Sequence, residues 1–284
     1  LVTRDTDFLD SALWDGAGTV EASAWMRSSE KRGPWNLSGR LTLAGGVEYR
    51  NRGAGLTTGD SYDAQPYARL SGEASARRWL GRTGVALRTY GGWVESGRRP
   101  VKQRQLFLAG ADPYEQFSNP FLRSRGSLLA GTDVHYLMPG GGGMRGLGAG
   151  TTATGLLSVN ADLERSVLSR DSVHVFREVR LAGFADLALA NGDAPRLGTT
   201  GASIVSDAGI GIRISHCIGQ TPFVTSFDFP VVVTRPRIAV NERTQSFAFR
   251  WVVSASAAFV TGDRPRPSQP ATIGPTTRSV AGCR

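Results

Sequence analysis

The chain alternates apolar and polar side chains over runs two to three times longer than an ordinary strand. Trp35 to Asn51 sets Leu37, Gly39, Leu41, Leu43, Gly45, Val47 and Tyr49 against Ser38, Arg40, Thr42 and Glu48. Ala64 to Trp79 sets Ala68, Leu70, Gly72, Ala74 and Ala76 against Arg69, Ser71, Glu73 and Ser75. A period of two belongs to a strand, whose side chains point to opposite faces in turn. Ordinary strands run about five or six residues; strands that cross a bilayer need about 9 to 11 and often continue past it. Here the runs reach about 12 to 16. Seven further segments follow the pattern: Gly16 to Arg27, Thr83 to Glu95, Thr152 to Val167, Glu178 to Ala190, Ala202 to His216, Thr221 to Val233 and Gln245 to Val260. The expected fold class is therefore all-β, a transmembrane antiparallel β-barrel of about nine strands. Single-chain bacterial barrels normally have an even number of strands, so nine read as the C-terminal part of a larger barrel.

Between the fourth and fifth segments, over residues 96–150, the period vanishes. That stretch ends in Pro139-Gly140-Gly141-Gly142-Gly143-Met144-Arg145-Gly146-Leu147-Gly148-Ala149-Gly150, in which seven of twelve residues are glycine. Glycine lets a chain fold tightly or approach another surface closely, and Arg145 offers a planar fork of donors for a carboxylate. A connection of this length inside a compact fold points to function; the expectation is a loop folded back into the barrel. Connection lengths also alternate. Residues 28–34, 80–82, 168–175 and 217–220 are short links, while 52–63, 96–150, 191–201 and 234–244 are long, as in barrels with short periplasmic turns and long external loops. The chain then divides into a lead-in at 1–14, barrel strands over 15–260 and a Pro-rich polar tail at 261–284. Leu1 brings neither a signal-peptide pattern nor an initiating Met, which reads as a segment of something longer.

Composition narrows the function classes. No window approaches the ~18 unbroken apolar residues of a membrane helix. The net charge of +9 is almost entirely arginine, with Lys31 and Lys102 the only lysines. These arginines are scattered and lack the aromatic interleaving of a nucleic-acid platform, so no nucleic-acid partner is expected. Gly141 to Gly146 formally matches a dinucleotide fingerprint, but no buried strand precedes it and no helix start follows. His135, His174 and His216 lack metal-ligand spacing, and no Gly-x-Ser-x-Gly elbow occurs. No metal, cofactor or catalytic residue is expected. Cys217 and Cys283 are the only cysteines; in an oxidising compartment they are candidates to pair and tether the tail.

Over roughly Gln65 to Val260 the chain resembles the bacterial outer-membrane surface-antigen superfamily, which includes barrel-assembly proteins and two-partner-secretion transporters. The resemblance rests on the loop tip Gly143-Met144-Arg145-Gly146-Leu147, on Phe184-Ala185-Asp186, on Asp207-Ala208-Gly209-Ile210-Gly211-Ile212-Arg213 and on Asp228-Phe229-Pro230. Five strands after the loop fit that family's sixteen-strand barrels. The resemblance implies outer-membrane location and a role in inserting or translocating proteins, or service as an anchor for a separate module such as a peptidase. It implies that Arg145, flanked by Gly143 and Gly146, enters the lumen and pairs with Asp186 beside Phe184. Asp207, Arg213 and Asp228 would be further lumen charges. Expected partners are outer-membrane lipid and lipopolysaccharide, with client proteins or periplasmic subunits. The chain departs from the family in having Leu147 where an aromatic is usual, and in continuing past its last strand.

Overall fold

A computed structural model of the chain describes residues 17–51, 62–111, 122–127, 135–136, 140–147, 151–169, 176–191, 203–218, 221–234 and 250–257. The architecture is all-β. Nine long strands carry it: β1 (Ala17–Arg32), β2 (Trp35–Asn51), β3 (Tyr62–Leu80), β4 (Thr83–Ser96), β9 (Gly155–Ser169), β10 (Phe176–Asn191), β11 (Ser203–Ile218), β12 (Thr221–Val233) and β13 (Arg250–Ala257). The segment between β4 and β9 adds a short 3₁₀ turn at Lys102–Arg104 and four short strands: β5 (Leu106–Phe107), β6 (Leu122–Ser127), β7 (His135–Tyr136) and β8 (Thr152–Ala153). One antiparallel sheet runs in the order β1-β2-β3-β4-β9-β10-β11-β12-β13-β6-β7, and β5 pairs separately with β8. Among the described residues this sheet is open, with β1 and β7 at its edges, and no closed barrel is formed.

Several strand limits shift by a few residues from the sequence reading, and two departures have a clear physical reason. β1 was expected to end at Arg27, because the charged run after it breaks the alternation. Backbone pairing instead continues to Arg32 opposite Trp35, so the turn shrinks to Gly33-Pro34, with Gly33 at φ 59. The long connection is also less irregular than its sequence suggests. Its short strands borrow partners from distant elements, β6 from β13 and β5 from β8, so no local period announces them.

The two faces of the sheet are inverted relative to a water-soluble protein. Along β9, Ser158, Asn160, Asp162, Glu164 and Ser166 are buried, while Leu157, Leu163 and Val167 are exposed. β10 repeats this, burying Arg180 and Asp186 and exposing Leu181, Leu187 and Leu189, each near half of its full accessibility. Leu41 and Leu43 of β2, Leu70 of β3, Val85 and Leu87 of β4 and Ile204 and Ile210 of β11 extend the exposed aliphatic face.

The connection between β4 and β9 lies on the charged face and supplies its apolar core. Leu106, Leu108, Met144 and Leu147 are buried among Tyr90, Val94, Leu156, Ala188, Val205 and Val233 of the sheet. Its two arms are joined by backbone hydrogen bonds from Gly142 N–H to Phe107 C=O (2.7 Å) and from Met144 N–H to Leu108 C=O (2.9 Å). Phe107 is fully buried at their junction. Phe107→Ala should therefore cost about 3–5 kcal/mol, the usual range for emptying an aromatic site; a shift of the urea unfolding midpoint measures it, and an unchanged midpoint would place the loop outside the packed interior.

Candidate functional site

The glycine-rich tip delivers Arg145 into a group of carboxylates contributed by neighbouring strands. Arg145 Nε donates to Asp186 Oδ2 at 2.8 Å and its Nη2 to Asp186 Oδ1 at 2.7 Å, a two-pronged contact. Its Nη1 donates to Asp162 Oδ1 at 2.7 Å and lies 4.0 Å from Asp228 Oδ1. Phe184, on the same face of β10 as Asp186, places its ring centroid 3.8 Å from the guanidinium carbon, a cation–π contact. Burial by itself would weaken the guanidinium's hold on its proton. Asp162 and Asp186 beside it reverse that and keep it charged well above the ordinary arginine range.

These contacts also fix the local shape of the sheet. β9 and β12 are three strand spacings apart, ~14 Å in a flat sheet, yet Asp162 of β9 and Asp228 of β12 converge on one nitrogen at 2.7 and 4.0 Å. Aspartate side chains are too short to span that gap, so the sheet bends around Arg145.

Around this centre the remaining charges are shared out. Asp186 and Asp207 sit directly opposite each other across β10 and β11, an arrangement that repels when both are ionised. Arg145 serves the first and the backbone N–H of Gly146 donates to Asp207 Oδ2 at 2.9 Å. Arg213 pairs with Asp228 at 2.6 Å and lies 3.6 Å from Asp162. The 2.6 Å contact is an ion pair without hydrogen-bond alignment. Arg180 pairs with Glu164 at 2.9 Å. Asn160 Nδ2 donates at 3.1 Å to both Gly142 C=O and Asp186 Oδ1, so one side chain reads the loop backbone and its anchor together. Arg88 of β4 donates to Gly141 C=O at 2.7 Å and to Glu73 at 3.0 Å.

Two glycines are required by this fit. A side chain on Gly146 would meet Val233 at 2.6 Å and Asp207 Cβ at 2.8 Å. Gly143 has φ +72, and a Cβ there would strike Arg88 Nη1 at 2.8 Å and Asn160 Oδ1 at 2.9 Å. Leu147 is buried in the apolar cluster rather than against the arginine.

Of the sequence-expected residues, Gly143, Arg145, Gly146, Phe184, Asp186, Asp207, Arg213 and Asp228 thus lie in one contiguous cluster. Asp207, expected as a lumen charge, receives the backbone amide of Gly146. Asp162 escaped notice as a partner because it stands on a strand without a recognised motif; its shared face with Asn160 and Glu164 was the available signal. A second clamp was also unforeseen. Arg104, on the leading arm of the loop, donates to Thr19 at 2.8 Å, pairs with Glu21 and lies over Tyr67 at 5.2 Å, while Tyr67 donates to Glu21. Glu48 accepts the Val101 N–H at 3.3 Å.

Cys283 lies outside the described residues, as does the side chain of Cys217, and so do His174 and the side chain of His135. His216 stands on the outer face against Phe223. Among the described residues no group of His, Cys, Asp and Glu has the spacing to hold a metal. The cluster's chemistry is charge compensation that holds the loop. No protein-family model matches the chain, and a search of curated proteins returned no similar protein.

Removing one partner of a buried ion pair costs about 3–5 kcal/mol. Arg145→Ala and Asp186→Ala should each destabilise the fold by about that much, and the double variant by clearly less than their sum. Denaturant unfolding of the four proteins in a double-mutant cycle measures the coupling; full additivity would show that the two side chains do not act on each other.

Proposed function

We propose that the chain forms part of an outer-membrane β-barrel of the surface-antigen type, acting in the insertion or translocation of proteins, with the Arg145 loop as its internal plug. The inverted distribution of side chains carries this reading. A face bearing Leu41, Leu43, Leu87, Leu163, Leu181 and Leu187 in the open would cost a soluble protein of this size a large unsatisfied apolar surface. In hydrocarbon the same face is at home, and the buried charges of the other face suit a polar interior. Strand lengths of 13 to 19 residues in eight of the nine long strands exceed what a bilayer crossing needs. The order Gly143-Met144-Arg145-Gly146, Phe184-Ala185-Asp186 and Asp207 to Arg213, on the loop and strands that meet in the cluster, supports the resemblance to protein-moving barrels.

The loop's close packing keeps a second reading: a barrel that is only an anchor, with its interior permanently filled and the working part elsewhere. The two are separated by reconstituting the full-length protein in proteoliposomes. A protein-moving barrel accelerates the folding or uptake of an unfolded outer-membrane client; an anchor inserts normally and leaves client folding at the rate of empty vesicles. The membrane reading has its own measurement. Leu181→Arg, on the exposed face, should destabilise the inserted protein by up to about 2–4 kcal/mol, depending on its depth. A heat-modifiable band in electrophoresis that survives wild-type extraction and weakens in the variant is the expected result; solubility without detergent would end the case.

A further inference from the structure

Where the hairpins turn, the outer face changes from aliphatic to cationic. Cross-strand register sets Arg32 of β1 opposite Trp35 of β2, and Trp35 opposite Arg78 of β3. Arg78 lies over the Trp35 ring, 5.7 Å from its centroid. Two residues nearer the turn, Leu80 faces Thr83, and Thr83 faces Arg165 of β9. Arg82 is exposed in the tight turn between β3 and β4, and Arg32 and Arg165 are exposed as well. Farther along the sheet the same rim carries His216 and Phe223, paired across β11 and β12 with ring centroids 4.9 Å apart.

Level with the arginines lie Val85, opposite Arg78, and Leu181, opposite Arg165, and Leu37, Ala76 and Leu163 continue the apolar face from there. Among the described residues the outer side of the rim holds one acid, Glu30. The other end of the same face differs. There the described strands present Tyr49, Trp93, Glu95, Leu189 and Ile204, and no arginine or lysine. Outward strand positions thus carry cations on the short-turn side of the apolar band, whereas at the other end the exposed Arg98 and Arg99 lie past the last residue of β4.

We propose that Arg32, Arg78, Arg82 and Arg165 form a belt that binds the phosphates of anionic phospholipids in the leaflet at the short-turn end, with Trp35 bridging the first two arginines. The inference rests on the membrane reading given above. A guanidinium fork matches a phosphate in both shape and charge. A row of them at the edge of a hydrocarbon-facing surface sits where headgroups lie, and basic residues near an anionic surface draw such lipids by electrostatics that salt screens. The Trp35 ring, amphipathic and beneath the Arg78 guanidinium, is suited to the same depth.

The test uses the full-length protein in phosphatidylcholine vesicles, with spin-labelled phosphatidylglycerol or spin-labelled phosphatidylcholine as probe. At low ionic strength the wild type should hold the anionic probe at its surface at least about fivefold over the neutral one, and the preference should shrink in high salt. The variant carrying R32Q, R78Q, R82Q and R165Q should lose it, R165Q alone should lose part, and replacement of all four by lysine should restore much of it. Heat-modifiable mobility of the same samples reports insertion separately. Wild type that inserts but contacts both probes equally, or a quadruple glutamine variant that keeps the preference, overturns the belt. Wild type that fails to insert into neutral vesicles overturns the membrane reading beneath it.

Discussion

The inner face of the sheet places four carboxylates, Asp162, Asp186, Asp207 and Asp228, within reach of one another, and two of them face directly across adjacent strands. Without compensation such a face would repel itself and carry the heavy penalty of buried, unpaired charge. Arg213 answers part of the demand from within the sheet, and the rest is met by Arg145 and the Gly146 amide. Sheet and loop are therefore interdependent. The strands bury their acids against the loop, and the acids add charge pairing to the apolar and backbone contacts that hold the glycine-rich tip.

The interior is layered along the strands. Near the long connections, Leu106, Leu108, Met144 and Leu147 of the loop meet Val94, Val205 and Val233 in an apolar core. Below it lies the charged layer around Arg145, and nearer the turns Arg180 holds Glu164 beside Trp79. The loop thus gives the sheet both an apolar interior at one level and charge balance at the next. The leading arm is tied separately by Arg104 and Glu48, so the connection is fastened to β1–β3 as well as to β9–β12.

Most of the long strands were legible because alternation is a local signal that survives any tertiary arrangement; Trp35–Asn51 and Thr221–Val233 coincide with their expected limits. Legibility failed where pairing is non-local. β6 is defined by a partner more than a hundred residues away, and β1 runs on past its alternation because β2 continues beside it. The cluster was readable at residues that sit in recognisable motifs, such as Phe184 and Asp186. Asp162 and Arg104 have no such context: their roles depend on which strands stand side by side and on the direction in which the loop enters.

One outcome of the topology concerns β13, the last strand among the described residues. Leu122–Ser127 pairs with residues 250–255 along the edge of β13 that does not face β12. The chain thereby acts as its own edge guard, covering backbone groups that would otherwise invite a foreign strand. Any segment that came to lie beside β13 would have to peel away a six-residue tenant before it could zip into place.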